Sequence, residues 1–393
     1  MKSLVYDKAL GGRNGLIGTI IVALILLVIF PLIFDLFRLN NVGRFLSLAF
    51  AAVGLVLCWG YGGILSLGQG VFWGLGGYCM AAFLKLEAAQ VIANEAGTDQ
   101  INALTTVGLP DFMDWNQVTE LPWFWYPFKS MPLSMILIFL VPTVLAYLLG
   151  VAMFKRRVAG VYFAIITQAL CWVMEILFVT RQGWTGGING ITDLRTFMGW
   201  DFQAQTWYGQ YMVYYITAIL LLCCVFIGRL VLASKFGKLL VAMRDTEDRV
   251  RFSGYDTSNL KVFIFCLAAA ISALGGALFV MNFGFMSPKL VTIVPSIDMV
   301  IFCAVGGRLS LLGAIYGTLL VSFGRMYFSE EYPELWLFLM GALFICVTMF
   351  FPRGLAGIVD DYGPWLINKA TGMAGKRKGA GSGAVPGAAA SSP

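Results

Sequence analysis

Few residues of this 393-residue sequence could perform acid–base or nucleophilic chemistry. The sequence contains no histidine, which excludes imidazole bases, Ser-His and Cys-His nucleophile pairs, and histidine-bearing metal sites. Its eight cysteines lie in apolar runs without a CxxC spacing and are typical of small buried hydrophobes. No segment resembles a Walker A loop, GxxxxGK[ST]. We therefore predict no catalytic residue, no metal site and no cofactor bound by this chain.

The longest polar segment on the side predicted to be cytoplasmic is 234–255, SKFGKLLVAMRDTEDRVRFSGY. Its apolar residues recur at helical spacing and predict a short amphipathic helix that stops at Gly254. On its polar face, Asp245 with Arg249 and Glu247 with Arg251 are spaced as ion pairs four residues apart. Two roles fit this pattern: an ordinary helix at the membrane interface, or a coupling helix that docks on a partner protein through its apolar side and its charges. The candidate coupling residues are Arg244, Asp245, Glu247, Asp248, Arg249 and Gly254.

Two glycine-rich stretches carry neutral polar side chains that could line a substrate pathway. The first, RQGWTGGINGIT over 181–192, contains Thr185, Gly186, Gly187 and Asn189, and its alternative role is a connector. The second, WGYGGILSLGQGVFWGLGGY over 59–78, contains Ser66 and Gln69. Close helix packing would explain most of its glycines, but a glutamine at membrane depth should not face lipid.

Two carboxylates, Glu175 and Asp298, lie deepest in apolar runs. Charged groups at membrane depth need a partner, so each is a candidate pathway residue. A structural pair with an arginine or a helix end is the alternative for each of them.

The composition indicates that lipid surrounds the elements that position these residues, since 59% of residues are hydrophobic and 12% are charged. Helices are the default membrane-crossing structure. We predict an all-α, polytopic transmembrane helix bundle of about ten membrane segments, including a broken or re-entrant one at 294–306. The predicted spans are 16–37, 43–61, 64–86, 132–154, 158–180, 210–233, 260–282, 294–306, 309–328 and 334–351.

The distribution of Lys and Arg assigns a side of the membrane to each loop. It predicts a cytoplasmic N-terminus at 1–15 and a transmembrane domain over 16–351, with an extracytoplasmic insertion at 87–131 and a cytoplasmic coupling loop at 234–258. A cytoplasmic, partly disordered tail follows at 352–393. The net charge of +6 is spread between apolar spans, so membrane lipid rather than nucleic acid is the expected partner of the basic residues.

Together these stretches resemble the integral membrane permeases of the branched-chain amino-acid ABC transporter family. The resemblance runs from about Val42 to Gly354, and its most specific pieces are GGINGI at 186–191, RDTEDRVRFSGYDTSNLK at 244–261 and GGRLSLLGAIYG at 306–317. It implies a second homologous permease subunit, two cytoplasmic ATP-binding subunits that use ATP and Mg, and an extracytoplasmic solute-binding protein. The implied location is the bacterial cytoplasmic (inner) membrane, with both termini cytoplasmic.

Three features look more like the urea-transporting branch of that family: Gln69, Gly77 and the long insertion over 88–129. Urea uptake is therefore the predicted function. Transport of branched-chain amino acids or short-chain amides is the nearest alternative. A stand-alone secondary transporter or channel is the alternative of another class, and a membrane-embedded enzyme is disfavoured because no paired catalytic groups are visible.

Overall fold

The computed structural model describes residues 12–95, 109–158, 160–194, 196–204, 207–332, 335–350 and 354–357. Within this part the chain is almost entirely helical, and eight helices are long and apolar enough to cross a membrane. The α-helices are α1 (Gly12–Leu24), α2 (Phe30–Ile33), α3 (Leu36–Leu55), α4 (Gln69–Glu95), α5 (Asp111–Trp115), α6 (Met131–Phe154), α7 (Val161–Thr180), α8 (Gln182–Thr185), α9 (Met212–Ala233), α10 (Lys235–Asp245), α11 (Glu247–Phe252), α12 (Thr257–Phe283), α13 (Ile293–Gly306), α14 (Leu311–Glu331) and α15 (Leu335–Phe350). The polytopic helix bundle predicted from the sequence is confirmed.

Shorter helical turns extend several of these helices. Wide π-type turns follow α1 at Ile25–Ile29, follow α3 at Val56–Tyr61 and precede α9 at Trp207–Tyr211, and 3-10 turns occur at Trp123–Lys129, Gly187–Asn189 and Pro288–Leu290. The eight spans are Gly15–Ile33, Leu36–Tyr61, Met131–Phe154, Val161–Thr180, Tyr208–Ala233, Thr257–Phe283, Pro288–Gly306 and Leu311–Phe328.

Two of the predicted spans fall on helices outside this set of eight. The span at 64–86 corresponds to α4, and the span at 334–351 corresponds to α15. Residues of α4 from Gln69 to Leu86 are buried inside the bundle. A helix enclosed by other helices can be rich in glycine and less apolar than one that faces lipid, which explains the lower hydropathy of α4.

The centre of the bundle is α12, which packs against α3, α4 and α6. Glycines allow the backbones of α4 and α12 to approach closely. A Cβ atom at Gly276 would lie 1.7 Å from the carbonyl oxygen of Trp73, and one at Gly76 would lie 2.1 Å from that of Ala273. The contact between these two helices therefore requires glycine on both sides.

The chain is not helical between the π turn that ends at Tyr61 and the start of α4 at Gln69. Gly63 adopts a left-handed conformation there, with φ of +69°, which glycine adopts without strain. The predicted span at 64–86 therefore begins later than expected. The segment predicted to be broken, 294–306, is continuous within α13; the interruption lies before it, where two residues separate the 3-10 turn Pro288–Leu290 from α13.

Opposite the coupling loop, the bundle ends in short irregular elements. A two-stranded antiparallel hairpin, β1 (Thr196–Phe197) and β2 (Trp200–Asp201), is the exception to the all-α prediction. Both residues of its turn, Met198 and Gly199, have positive φ, as in the tight turns that suit the twist of paired strands. The Gly199 N–H donates to Glu87 Oε1 at 2.8 Å, which ties the hairpin to α4.

The predicted insertion over 87–131 differs in structure from the expected loop. Helix α4 continues to Glu95, and α5 and the 3-10 turn Trp123–Lys129 follow further along the chain. The buried Lys85 Nζ lies 2.9 Å from Asp111 Oδ1, which fixes α5 to α4. The predicted terminal segments at 1–15 and 352–393 lie mostly outside the described residues.

Candidate functional site

The predicted coupling loop folds as two short helices instead of one. Helix α10 ends at Asp245, Thr246 has extended backbone angles (φ −151°, ψ 86°), and α11 begins at Glu247. Ser234 caps α10 by accepting the Gly237 N–H at 3.4 Å. Gly254 follows α11 with φ of +88°, so the helix stop predicted at this glycine is confirmed.

The break at Thr246 changes the ion pairs of the loop. Asp245 and Arg249 no longer lie four residues apart on one helix, and Asp245 accepts instead from Arg244, with Nη2 and Oδ1 3.0 Å apart. This part of the sequence-based prediction was wrong. Glu247 does pair with Arg251, at 3.2 Å, and it also accepts from Lys261 Nζ at 2.7 Å.

Glu247 fastens α11 to the start of the central helix α12. Burial raises the pKa of its carboxyl, but the hydrogen bond and charge of Lys261, together with Thr257 and Arg251, outweigh burial and lower the pKa below its usual value. Glu247 is therefore ionised at neutral pH and binds two elements, since Arg251 is on α11 and Lys261 is on α12.

Arg244 connects the loop to the membrane helices. Its Nη1 donates to the carbonyl oxygen of Gly60 at 2.9 Å, in the π turn that ends the span Leu36–Tyr61. The side chain of Arg244 also packs on Gly63, where an added Cβ would lie 3.1 Å from its Cγ. The next residue, Tyr61, donates from its hydroxyl to the carbonyl oxygen of Leu309 at 2.7 Å. The loop is thus joined to the α3 span and to the turn before α14.

The apolar side of the loop faces its own bundle. Leu240, Met243 and Val250 are buried in the core of this chain, so they are not free to dock on another protein, contrary to the expectation from the sequence. The exposed side chains of the loop include charged ones, such as Asp248 and Arg249, and two aromatic ones, Phe252 and Tyr255, which are 90% and 50% exposed. A partner at this surface would meet charges and two aromatic rings.

The glycine-rich segment 181–192 is held by internal hydrogen bonds. Thr185 donates from Oγ1 to the carbonyl oxygen of Arg181 at 2.9 Å, so its hydroxyl is used within the segment. Gly186 and Gly187 have positive φ and are buried. The N–H of Ile191 donates to the carbonyl of Met286 at 2.7 Å. These contacts fit a structured connector, and of the four candidate residues here only Asn189 is exposed.

A matched pair of substitutions tests the connector interpretation. Gly190 has φ of +73° and packs on the Met286 carbonyl, 2.1 Å from where a Cβ would lie, so Gly190→Ala should lower the free energy of unfolding by about 3 kcal/mol or more. Asn189→Leu, at the exposed neighbour, should change it by less than about 0.5 kcal/mol. Thermal unfolding of both purified variants in one detergent measures this. Equal effects of the two changes would contradict the interpretation, and lost uptake in a stable Asn189→Leu protein would place Asn189 in the pathway.

Ser66 and Gln69 lie at the break before α4, both with 0% exposure. Gln69 Nε2 donates to Ser272 Oγ on α12 at 2.7 Å, while Gln69 Oε1 and Ser66 Oγ have no hydrogen-bond partner in the part of the chain that the structure describes. Gly77, which contacts Met286, is about 12 Å from Gln69 at about 1.5 Å per residue of helix. Gly190 also packs on Met286. The candidate residues of the segment 181–192 therefore lie near Gly77, whereas Ser66 and Gln69 lie at the start of α4.

The two deep carboxylates have different surroundings. Asp298 on α13 is buried and accepts from Arg325 Nη1 on α14, with Oδ2 2.6 Å away. Glu175 on α7 is half-buried and has no cation within 4.0 Å among the described residues. The alternative stated for Asp298 from the sequence, a structural pair with an arginine, is therefore present. Arg325 was not predicted as the partner, although an arginine inside the apolar run of α14 is a usable signal in the sequence.

Comparison with known proteins gives the family. A family model described as "Branched-chain amino acid transport system / permease component" matches residues 37–348. The chain is 25% identical over 236 residues to the high-affinity branched-chain amino acid transport system permease protein LivM of Salmonella typhimurium, with 55% of each chain covered. It is 25% identical over 229 residues to LivM of Escherichia coli, with 53% of each covered. It is 26% identical over 155 residues to BraD of Pseudomonas aeruginosa, a permease protein of the same description, with 38% of this chain and 48% of the relative covered.

The chain thus spans about half the length of the curated relatives it matches. No solved structure matches it. The family model, in contrast, extends from the start of α3 into α15 and includes the coupling loop, the glycine-rich connector and Asp298. Since this match covers most of the chain, the protein is a multi-pass membrane protein that belongs to the branched-chain amino acid transport permease family.

Proposed function

We propose that this chain is a permease subunit of an ABC importer that moves branched-chain amino acids across the bacterial cytoplasmic membrane. The observation that carries the proposal is the family match over residues 37–348. In this proposal a second homologous permease, two cytoplasmic ATP-binding subunits and an extracytoplasmic solute-binding protein complete the transporter, and the partner ATPases use ATP and Mg.

The substrate is proposed from the relatives. The LivM and BraD proteins are named for branched-chain amino acid transport, whereas urea transport, which Gln69, Gly77 and the long insertion predicted, has no support from the comparisons. The structure gives Gln69 a partner within the chain, Ser272. The Nε2 atom of Gln69 is thereby used within the chain, while its Oε1 makes no hydrogen bond to the described residues, so the proposed substrate rests on the relatives and not on Gln69.

The charges support the proposed orientation. Helices α6 and α12 meet at one end of the bundle, where Ser258 Oγ donates to the Phe154 carbonyl at 3.2 Å. Basic residues gather at that end, namely Lys155, Arg156, Arg157, Lys235, Lys238, Arg244, Arg249, Arg251 and Arg308. Basic residues beside membrane segments favour the cytoplasmic side, which is where soluble ATPases would reach α10 and α11.

The contacts of Arg244 suggest how ATPase motion would reach the pathway. A partner that grips the exposed face of α11 would displace α10, and Arg244 would pass that displacement to Gly60 at the end of the α3 span. Tyr61 would carry it to Leu309, ahead of α14. Rigid helices that rock about a fixed site are a recurrent way to alternate access.

Uptake by a strain that lacks its own importers tests the substrate. Cells that express this chain with its genomic neighbours should accumulate labelled leucine, and an ATPase-inactive partner subunit should abolish that uptake. Labelled urea should enter no faster than in empty-vector cells. ATP-dependent urea uptake without leucine uptake would overturn the proposed substrate, and ion-driven uptake by the purified chain alone would overturn the transporter class.

A further inference from the structure

A cavity of about 490 Å³ lies between α3, α4, α12, α13 and α14. Arg44, which lines it, is about 24 Å along the α3 span from Gly60, at about 1.5 Å per residue. The cavity is therefore near the membrane end opposite the coupling loop. Its size falls within the range of small-molecule sites, about 300–1,000 Å³.

The walls of the cavity combine aromatic rings with a few charged groups. Trp73, Phe279 and Phe302 provide apolar surface, and Arg44, Asp298 and Arg325 provide two positive charges and one negative charge. Asp298 is only 7% exposed and accepts from Arg325 through Oδ2. Mostly apolar walls with a few placed polar groups are typical of binding sites.

Among the described residues, two polar groups of this cavity have no hydrogen-bond partner. Ser322 is 3% exposed and its buried Oγ makes no hydrogen bond. The Nε of Arg44 is also buried without a partner, and no carboxylate of the described residues lies within ion-pair distance of its guanidinium. That guanidinium instead lies over the ring of Phe283, 4.4 Å from its centroid. Buried polar groups without partners are costly, so a ligand that satisfied them would bind favourably.

The chemistry of these groups selects the ligand. Arg44 presents a guanidinium that matches a carboxylate, Asp298 retains Oδ1 for an ammonium, and the aromatic walls suit an apolar side chain. We propose that this cavity is a binding site within the permease for a zwitterionic, apolar α-amino acid, with the carboxylate on Arg44 and the ammonium on Asp298. The inference rests on the proposed function and adds the residues that would hold the substrate. Urea is uncharged and would leave Arg44 without a counter-charge.

An anionic lipid headgroup is the rival occupant. Phe37, at the edge of the cavity, is exposed, so a lipid could approach from the side. A phosphate could pair with Arg44, but it carries no proton donor for Asp298 Oδ1, whereas the ammonium of an amino acid does.

Binding of labelled leucine to the full complex that co-purifies with this chain, reconstituted in lipid nanodiscs without the solute-binding protein, tests the site. Arg44→Gln should weaken binding by about 30-fold or more, since it leaves the carboxylate without its cation. Arg44→Lys should fall between Arg44→Gln and wild type, because the charge remains but the planar fork is lost. Arg38→Gln is the matched control, an exposed arginine on the same helix and outside the cavity lining, and it should bind as wild type does.

The possible results of these experiments distinguish failure of the proposed binding site from failure of the proposed function. Two results would overturn the site and leave the proposed function standing, provided that wild-type cells take up leucine. One is unchanged leucine binding by Arg44→Gln, and the other is undetectable leucine binding to the wild-type complex. Phospholipid that co-purifies with wild type and is lost from Arg44→Gln, with leucine binding intact, would assign the cavity to lipid and overturn the proposal. If Arg44→Gln does not assemble, Ser322→Leu fills the cavity without altering a charge and should abolish binding in its place. Absence of leucine uptake by wild type would instead count against the proposed function.

Discussion

Replacing Arg244 with alanine is expected to stop transport while the ATPase subunits remain bound. Arg244 joins the coupling loop to Gly60 through a charge-assisted hydrogen bond of 2.9 Å, and such bonds contribute about 1.5–3 kcal/mol. Without it, movement of α10 would no longer reach the end of the α3 span. Uptake of leucine should fall at least about tenfold, and the ATPases should still co-purify with the variant. Uptake and co-purification, measured on the same membranes, check this.

The matched control is Arg249→Glu, which reverses a charge on the exposed face of α11 instead of in the contact with the bundle. Its expected result is the converse: loss of the ATPases from the purified complex, with normal insertion of the chain. Reversal of both Arg244 and Arg249 to glutamate should abolish uptake and association together. Normal uptake by Arg244→Ala would refute the connection through Gly60, and retention of the ATPases by Arg249→Glu would refute the docking surface.

Replacing Gly276 with alanine is expected to prevent stable folding. A Cβ atom at this position on α12 would lie 1.7 Å from the Trp73 carbonyl oxygen and 2.9 Å from the Gly77 nitrogen. Both are backbone atoms of α4, so the two central helices would have to separate. Overpacking that side chains can absorb costs about 1–3 kcal/mol, and a backbone contact should cost at least the upper end of that range. The yield and thermal unfolding of the purified protein measure the loss.

Gly324→Ala provides the comparison for Gly276→Ala. Gly324 is also helical, on α14, and nothing lies within 4 Å of an added Cβ there. Alanine is favoured over glycine in a helix interior by about 1 kcal/mol, so this variant should be as stable as wild type or slightly more so. Similar losses in both variants would show that the effect of Gly276→Ala does not come from its contact with α4.

The sequence pattern predicted some features of the coupling loop correctly and others incorrectly. The apolar spacing of Leu240, Met243 and Val250 correctly identified residues that are buried, although they lie on two helices, and the spacing of Glu247 and Arg251 correctly identified an ion pair. The break at Thr246 was missed because a threonine between charged residues carries no strong helix-stop signal. That break redirected Asp245 to Arg244 and invalidated the predicted pair with Arg249.

Hydropathy located most of the spans, but it placed the limits of the buried, glycine-rich α4 poorly. The buried α4 was predicted as a span at 64–86, but its start at Gln69 and its continuation to Glu95 were not predicted. A helix with protein on all sides has no lipid-facing stripe, so its limits leave a weak pattern. The same burial hides the role of Gly76 and Gly276, since glycine in an apolar helix does not reveal which backbone it contacts.

The sequence by itself determined that this chain crosses the membrane many times, that its polar loop is amphipathic and that it resembles a permease family, because composition, periodicity and motifs are properties of short stretches. Only the tertiary structure decided that Arg244 bonds Gly60, 184 positions away, that Arg325 neutralises Asp298, and that Arg44 and Ser322 share a cavity. Such partners depend on the angles and depths at which separate helices pack. Those are set by the fit of side chains and glycines across the whole bundle, and they leave no regular spacing in the chain.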